Sequence, residues 1–260
     1  MKRARKWWVA SGFVACLLAC FTFLAPTASA SALASSPFQE TIANYADVHS
    51  GPTLQASVLA VLQPGSAVHV YGQMSGQALW AGNVWDRISP PSAAPRYIYA
   101  GMMESPMSGF ASKAAPAVPA SSGKEIVISL SQEWLWAYNN GVPVFSAPVT
   151  TARPGLYTPT GTWQIFSHLH PTTFYSPWPP GSPYYYPPTH INYAMEWNAG
   201  GFFLHDAYWR AAYGPGTNVW HHDPVDGWQY GTHGCITAPL QAIIWLYYWA
   251  PDGTTLQVNP

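Results

Sequence analysis

The sequence predicts a mainly β protein: a small β-barrel, then a β-rich sandwich ending in one short helix. Three observations predict it. From Ile42 to Met103 apolar and polar residues alternate in short runs cut by Gly and Pro, the period of half-buried strands joined by turns. From Lys124 onward the pattern is again strongly β, until the apolar run from Leu240 to Trp249 changes to a helical one. Between them Ser105 to Gly123 is rich in Ala, Ser and Pro and has no period, the composition of an extended, semi-stiff linker. The expected divisions are therefore 1–32, 33–104, 105–123 and 124–260.

The first division is a targeting segment. Lys2, Arg3, Arg5 and Lys6 precede an uncharged stretch from Trp7 to Ala25, and Ala28-Ser29-Ala30 and Ala30-Ser31-Ala32 follow. A basic start, an apolar middle and small-residue cleavage sites make a secretory signal peptide. Two alternatives stay open: an uncleaved membrane anchor, since the apolar stretch almost suffices to span a bilayer, and a lipoprotein box at Leu17-Leu18-Ala19-Cys20. All three place the rest of the chain outside the cytoplasm.

Removing those four positive charges takes the formal net charge from −1 to −5. Arg87, Arg96, Lys113, Lys124, Arg153 and Arg210 are the basic residues left, too few and too scattered for a nucleic-acid surface. With 14 Trp, 16 Tyr and only 8% charged residues, the chain is not of disordered composition. Cys16 and Cys20 fall in the targeting segment, which leaves Cys235 unpaired. A lone thiol in an exported protein marks either intermolecular pairing or reactivity.

In chain order, strands are expected at Ser57–Leu62, Ala67–Tyr71, Val84–Ile88 and Arg96–Tyr99, with a turn at Gln63-Pro64-Gly65-Ser66. Asp47-Val48-His49-Ser50-Gly51-Pro52, then Leu62–Gly65, Trp85 and Tyr97-Ile98-Tyr99 together resemble bacterial SH3-like domains. That resemblance implies a module that tethers a wall-acting enzyme; the alternative is a β domain that only packs on its neighbour. His49 and His69 are read as ordinary residues of this domain.

Past the linker, strands are expected at Glu125–Leu130 and Glu133–Tyr138, with the hairpin turn at Asn139-Asn140-Gly141, then at Val142–Thr151 and Thr162–Phe166. Pro171 to Thr189 has no strand or helix period and reads as a rim or lid, or else as an inert surface loop. Tyr193–Trp197 and Gly201–His205 pair around Asn198-Ala199-Gly200. Asp206 to Tyr230 is a long connection carrying Trp209, Trp220, His221 and His222. Leu240–Trp249 is the helix, with Thr237 its candidate N-cap, Pro239 in its first turn and Gly253 beyond its end. Thr254–Val258 closes the sheet.

The chemistry concentrates in Gly231-Thr232-His233-Gly234-Cys235-Ile236-Thr237-Ala238-Pro239. A thiol becomes a nucleophile where a histidine or a helix N-terminus stabilises its thiolate. Cys235 has His233 two residues upstream and an expected helix starting near Ala238. Amides of His233, Gly234 and Cys235 could converge on an oxyanion, since glycine permits the tight turn. The alternative is a buried, inert cysteine. His168-Leu169-His170 and His221-His222 lack carboxylates or further cysteines at metal-ligand spacing, so no metal or other cofactor is expected.

Residues 124–260 resemble the L,D-transpeptidase (YkuD) catalytic domain family, on Thr232-His233-Gly234-Cys235-Ile236, Ile128-Ser129-Leu130-Ser131-Gln132, Thr158-Pro159-Thr160-Gly161 and Phe202-Phe203-Leu204-His205. The resemblance implies Cys235 as nucleophile, His205 as proton acceptor and donor, Gly234 in the oxyanion turn, and His233 and Thr232 in support; Asp206, where many relatives have Gly or Ser, follows His205 directly and is its possible orienter. Tyr193, Trp209 and Tyr230 are the aromatic residues expected to touch substrate. Two departures stand out: the 26 residues between His205 and Thr232 exceed the family's usual spacing, which makes His221 a rival base, and Thr237 stands where the family carries Asn or Arg. The implied activity is cross-linking of peptidoglycan stem tetrapeptides at the cell wall; the N-terminal segment offers a possible membrane tether, and the oligomeric state stays open. An L,D-carboxypeptidase using water, or an inactive wall-binding protein, are the alternatives.

Overall fold

The computed structural model describes residues 32–33, 37–105, 110, 113–117 and 123–260. The targeting segment lies outside the described residues, except for Ala32. Among the described residues no helix is long and apolar enough to cross a membrane.

The alternating residues before the linker fold into β1 (Ala32–Leu33), β2 (Phe38–Thr41), β3 (Ala46–His49), β4 (Val58–Leu62), β5 (Ala67–Val70), β6 (Gly72–Leu79), β7 (Gly82–Arg87) and β8 (Tyr97–Tyr99). One sheet has the order β1-β6-β7-β8-β3-β4, and β2 pairs with β5 beside it. Trp85, Ile98 and Tyr99 fill the interior, and the Trp85 indole N–H donates to Gln77 O at 2.9 Å. β6 was not expected: Gly72-Gln73-Met74-Ser75-Gly76-Gln77-Ala78-Leu79 holds no β-branched residue, and its pairing with β7 overrides the weak local preference.

Beyond the linker come β9 (Lys124–Ser129), β10 (Trp134–Asn139), β11 (Val142–Pro148), β12 (Gly161–Gln164), β13 (Ser167–Leu169), β14 (Thr172–Phe174), β15 (Thr189–Ile191), β16 (Ala194–Asn198), β17 (Phe202–His205), β18 (His221–Asp223), β19 (Gly227–Gln229), β20 (Ile236–Thr237), helix α1 (Leu240–Trp249) and β21 (Thr255–Asn259). They build a sheet of order β11-β10-β9-β21-β12 and a second of order β13-β16-β17-β20. The β10–β11 hairpin turns on Asn140 (φ 51°) and Gly141 (φ 75°), the two positive-φ positions of a type I′ turn. Helix α1 buries Ala242, Ile243, Ile244, Leu246 and Trp249 and packs on β16 and β17.

Two expectations are corrected. Thr237 is not an N-cap: it belongs to β20, exchanges backbone bonds of 2.8 and 2.9 Å with Thr150, and its hydroxyl donates to Thr150 O at 3.3 Å. Pro239 occupies the cap position, without a side-chain bond. Residues 171–189 are not wholly irregular, because β14 and β15 pair at their two ends. Lys113 to Ala117 lies against the outer face of β10. Trp134, Trp136 and Tyr138 project to that face by the period of two, and Ala115 packs on them. The Trp136 indole donates to Lys113 O at 3.3 Å and the Tyr138 hydroxyl to Pro116 O at 2.7 Å.

β3 is buried on both faces. Val48 points into its own sheet's core. Asp47 points the other way, accepts bonds from the Tyr193 and Tyr248 hydroxyls, and stands 3.0 Å from His170 Nε2.

Candidate active site

β20 runs parallel to β17, with Leu204 opposite Ile236 and His205 opposite Thr237. The end of one strand therefore carries His205, and the residue entering the other is Cys235. Both line one cavity of about 390 Å³.

The entry to β20 is held by threonines. Thr232 Oγ1 donates to Cys235 O at 2.5 Å and accepts from the Gly234 amide at 3.1 Å. Thr158 Oγ1 donates to Gly234 O at 2.9 Å and accepts from the Ala152 amide at 3.1 Å. Gly234 is at φ 136°, and a Cβ there would lie 2.5 Å from Phe202 Cε1, so both backbone and space require glycine.

The partly exposed Cys235 has its sulfur 3.8 Å from Gly201 O. Its thiol is pushed up to about 11, by burial first and then by Glu196, against the Phe203 amide, which favours the thiolate. Four residues separate Cys235 from the helix start at Leu240, two more than the sequence suggested. His205 is buried and burial pushes it down to about 4. Its Nδ1 lies 2.7 Å from Asp206 O. A carbonyl only accepts, so Nδ1 carries the proton and Nε2 is left as the acceptor. Phe174 meets the ring edge-on at 5.0 Å. His233 packs between Trp178 at 5.4 Å and Tyr186 at 5.2 Å. Burial, and then the Arg153 charge, press it down to about 4.

The L,D-transpeptidase catalytic domain (YkuD) family model matches residues 123–258, just over half of the chain. The chain belongs to this family. Among solved structures it is similar to the Enterococcus faecium L,D-transpeptidase, at 23% identity and TM-score 0.44 over 53% of this chain and 50% of that one. It is also similar to an L,D-transpeptidase from Mycobacterium smegmatis, at 19% identity and TM-score 0.44 over 66% and 76%. A third, from Stackebrandtia nassauensis, has 25% identity and TM-score 0.41 over 55% and 58%. The chain thus spans about half the length of the Enterococcus protein. A comparison with curated protein sequences finds no match.

Within this YkuD domain, Trp209 and Tyr230 line the cavity. Tyr193 does not: it is fully buried, stacked on His170 at 3.9 Å and bonded to Asp47, because β16 leads it inward. The Asp206 carboxylate does not face the His205 ring. It accepts from Asn192 Nδ2 and the Tyr193 amide, both at 2.7 Å, so any orienting role falls to its backbone carbonyl. His221, the rival base, is tied by Nδ1–H to Val219 O at 2.8 Å and by Nε2 to Arg210 at 3.2 Å, and it does not line the cavity. His168 is likewise engaged with Asp252 at 2.7 Å and Ala250 O at 2.9 Å. Among the described residues no group of three metal-ligating side chains occurs.

Three further residues escaped sequence reasoning, two of them in the cavity. Arg153 and Tyr186 line the cavity, brought there by backbone bridging and by the hairpin-anchored loop. Glu133, at φ 46°, is buried with its carboxylate on the Thr151 amide at 2.7 Å and on the Thr151 hydroxyl, and burial raises it to about 7. The one available signal was its place at the start of an expected strand, directly after Leu130-Ser131-Gln132.

Proposed function

We propose that this protein is a peptidoglycan L,D-transpeptidase acting through a Cys235 acyl-enzyme. One observation carries the reading: two parallel strands deliver the thiol and a buried, singly tautomeric imidazole to the same cavity. With the thiol near 11 and the imidazole near 4, the resting pair is neutral. Deprotonation then accompanies attack: as the sulfur bonds to the carbonyl carbon of the third stem residue, the thiol proton passes to His205 Nε2. The tetrahedral oxyanion falls to the amides of Cys235 and His233, since that of Gly234 is committed to Thr232 Oγ1. Collapse breaks the C–N bond, and the imidazolium returns its proton to the departing D-alanine amine. An amine of a neighbouring stem attacks the thioester, gives up a proton to His205, and expels the thiol.

The first 32 residues and the β domain that follows fit the same setting, as an export signal and an SH3-like wall-binding module. The loops at 171–189 and 206–231, with Trp209 and Tyr230, form the walls against which stem peptide would lie. Incubation with a stem tetrapeptide or a carbapenem should add the mass of an acyl group to the protein, and Cys235→Ala should abolish it. A retained adduct in that variant would remove the proposal. Adding an amine acceptor distinguishes cross-linking from hydrolysis to the tripeptide.

A further inference from the structure

We infer that Arg153 is the anchor for a carboxylate of the donor peptide, a site that rests on the peptide-donor reading above and extends it. Its amide donates to Thr232 O at 2.9 Å, and its neighbour Ala152 bridges to Thr232, so the residue is held in register with the turn that carries Cys235. The guanidinium stands over the Tyr184 ring at 4.8 Å and the Tyr230 ring at 5.7 Å, and one Nη donates to Pro183 O at 2.9 Å. Two aromatic faces and one hydrogen bond fix the plane of the group, and the remaining donors of its five-donor fork are there for a ligand.

Among the described residues no carboxylate pairs with the charge of Arg153. The ion pairs among the described residues are His168 with Asp252 and His170 with Asp47. Arg210, the other cation lining the cavity, places its fork on Gln229, Tyr230 O and His221. Asp226 is the cavity's acidic side chain, and the rest of the lining is neutral and largely aromatic. Thr237 adds no charge, because its hydroxyl is turned to Thr150 O. A fixed, unpaired guanidinium in such a wall selects a planar anion by paired charge-assisted hydrogen bonds.

A tetrapeptide donor offers that anion in two places: the α-carboxylate of the leaving residue, one residue beyond the attacked carbonyl, and a side-chain carboxylate on the third residue. If the first is held, a longer stem presents an amide where the anchor needs a carboxylate, and Arg153 sets the preference for tetrapeptides.

The test uses the full chain with Cys235→Ala, which binds without reacting, and three tetrapeptides: the free acid, its C-terminal amide, and a version amidated on the third side chain. Calorimetry should show the free acid binding about tenfold or more tighter than one of the two amides, and which one identifies the carboxylate held. Arg153→Gln should erase that preference, bringing the affinities for the free acid and the amide together. Arg153→Lys, with charge but no fork, should keep part of it, and melting curves confirm that both variants fold. A preference that persists in Arg153→Gln, or no preference in its presence, overturns the anchor alone. Failure of all three peptides to bind overturns the donor reading together with it.

Discussion

The imidazole of His205 is kept neutral by burial, and the consequence is a reaction that tolerates acid. Its folded pKa, about 4, lies below the usual value of about 6.5. The base form therefore persists until the pH approaches 4, and the acylation rate should be flat from about pH 5 to 7 and fall only below that. A rate profile with its acid limb near 6.5 would contradict the assignment. The same shift has a cost in stability: between the two values the unfolded chain binds more protons, so stability is lost as pH falls from 6.5 toward 4. His205→Gln should slow acylation by about 100-fold or more. Cys235 and His205, the proposed nucleophile and base, stood out as candidates in the sequence because each sits in a short contiguous motif, Thr232–Cys235 and Phe202–His205. Arg153 and Glu133 were not, since their importance comes from backbone partners, Thr232 and Thr151, that no local pattern pairs with them.

Elements of this domain position the site through pairing rather than through propensity. The β14–β15 hairpin closes the 171–189 loop at its base and brings Phe174 onto Phe203 at 4.6 Å and onto the His205 ring. Because burial is the first cause of the low His205 pKa, Phe174→Ala should let water reach the ring and move the acid limb of the rate profile upward toward 6.5. An unmoved limb would show that other groups bury the ring. Thr158 works at the same scale, from the turn before β12. Thr158→Val removes a donor to Gly234 O and an acceptor for the Ala152 amide, which should cost about 1–3 kcal/mol, read by chemical denaturation, and slow acylation by loosening the turn. The long strands and the Asn140-Gly141 hairpin were readable from alternation and turn chemistry. The three-residue strands β14, β15, β18 and β19 were not, because so short a run among Pro, Gly and Tyr carries no period.

At the scale of the whole molecule, the N-terminal β part and the YkuD domain share one buried interior, and Asp47 reaches across to His170, Tyr193 and Tyr248. No sequence pattern links Asp47 to His170, Tyr193 and Tyr248, which lie more than a hundred residues away; Asp47 was legible only as part of an SH3-like motif. The Asp47 pKa is lowered despite burial, by the bonds from His170, Tyr193 and Tyr248. That of His170 is raised despite burial, chiefly by Asp47. The signs set a window. The carboxylate contributes stability above its unfolded value of about 3.9, lost as pH falls through its folded value. The imidazolium contributes below about 6.5, lost as pH rises through its folded value. Both act together between about pH 4 and 6.5, so the contact is strongest in mild acid, which is also where His205 remains a base. Asp47→Ala leaves His170 and two tyrosine hydroxyls without their partner, a loss of about 3 kcal/mol or more. Thermal melts of the two proteins should differ most between pH 4 and 6.5, and the difference should narrow on either side. A difference that is constant with pH would mean that Asp47 acts through packing alone and that the ion pair does not join the two parts.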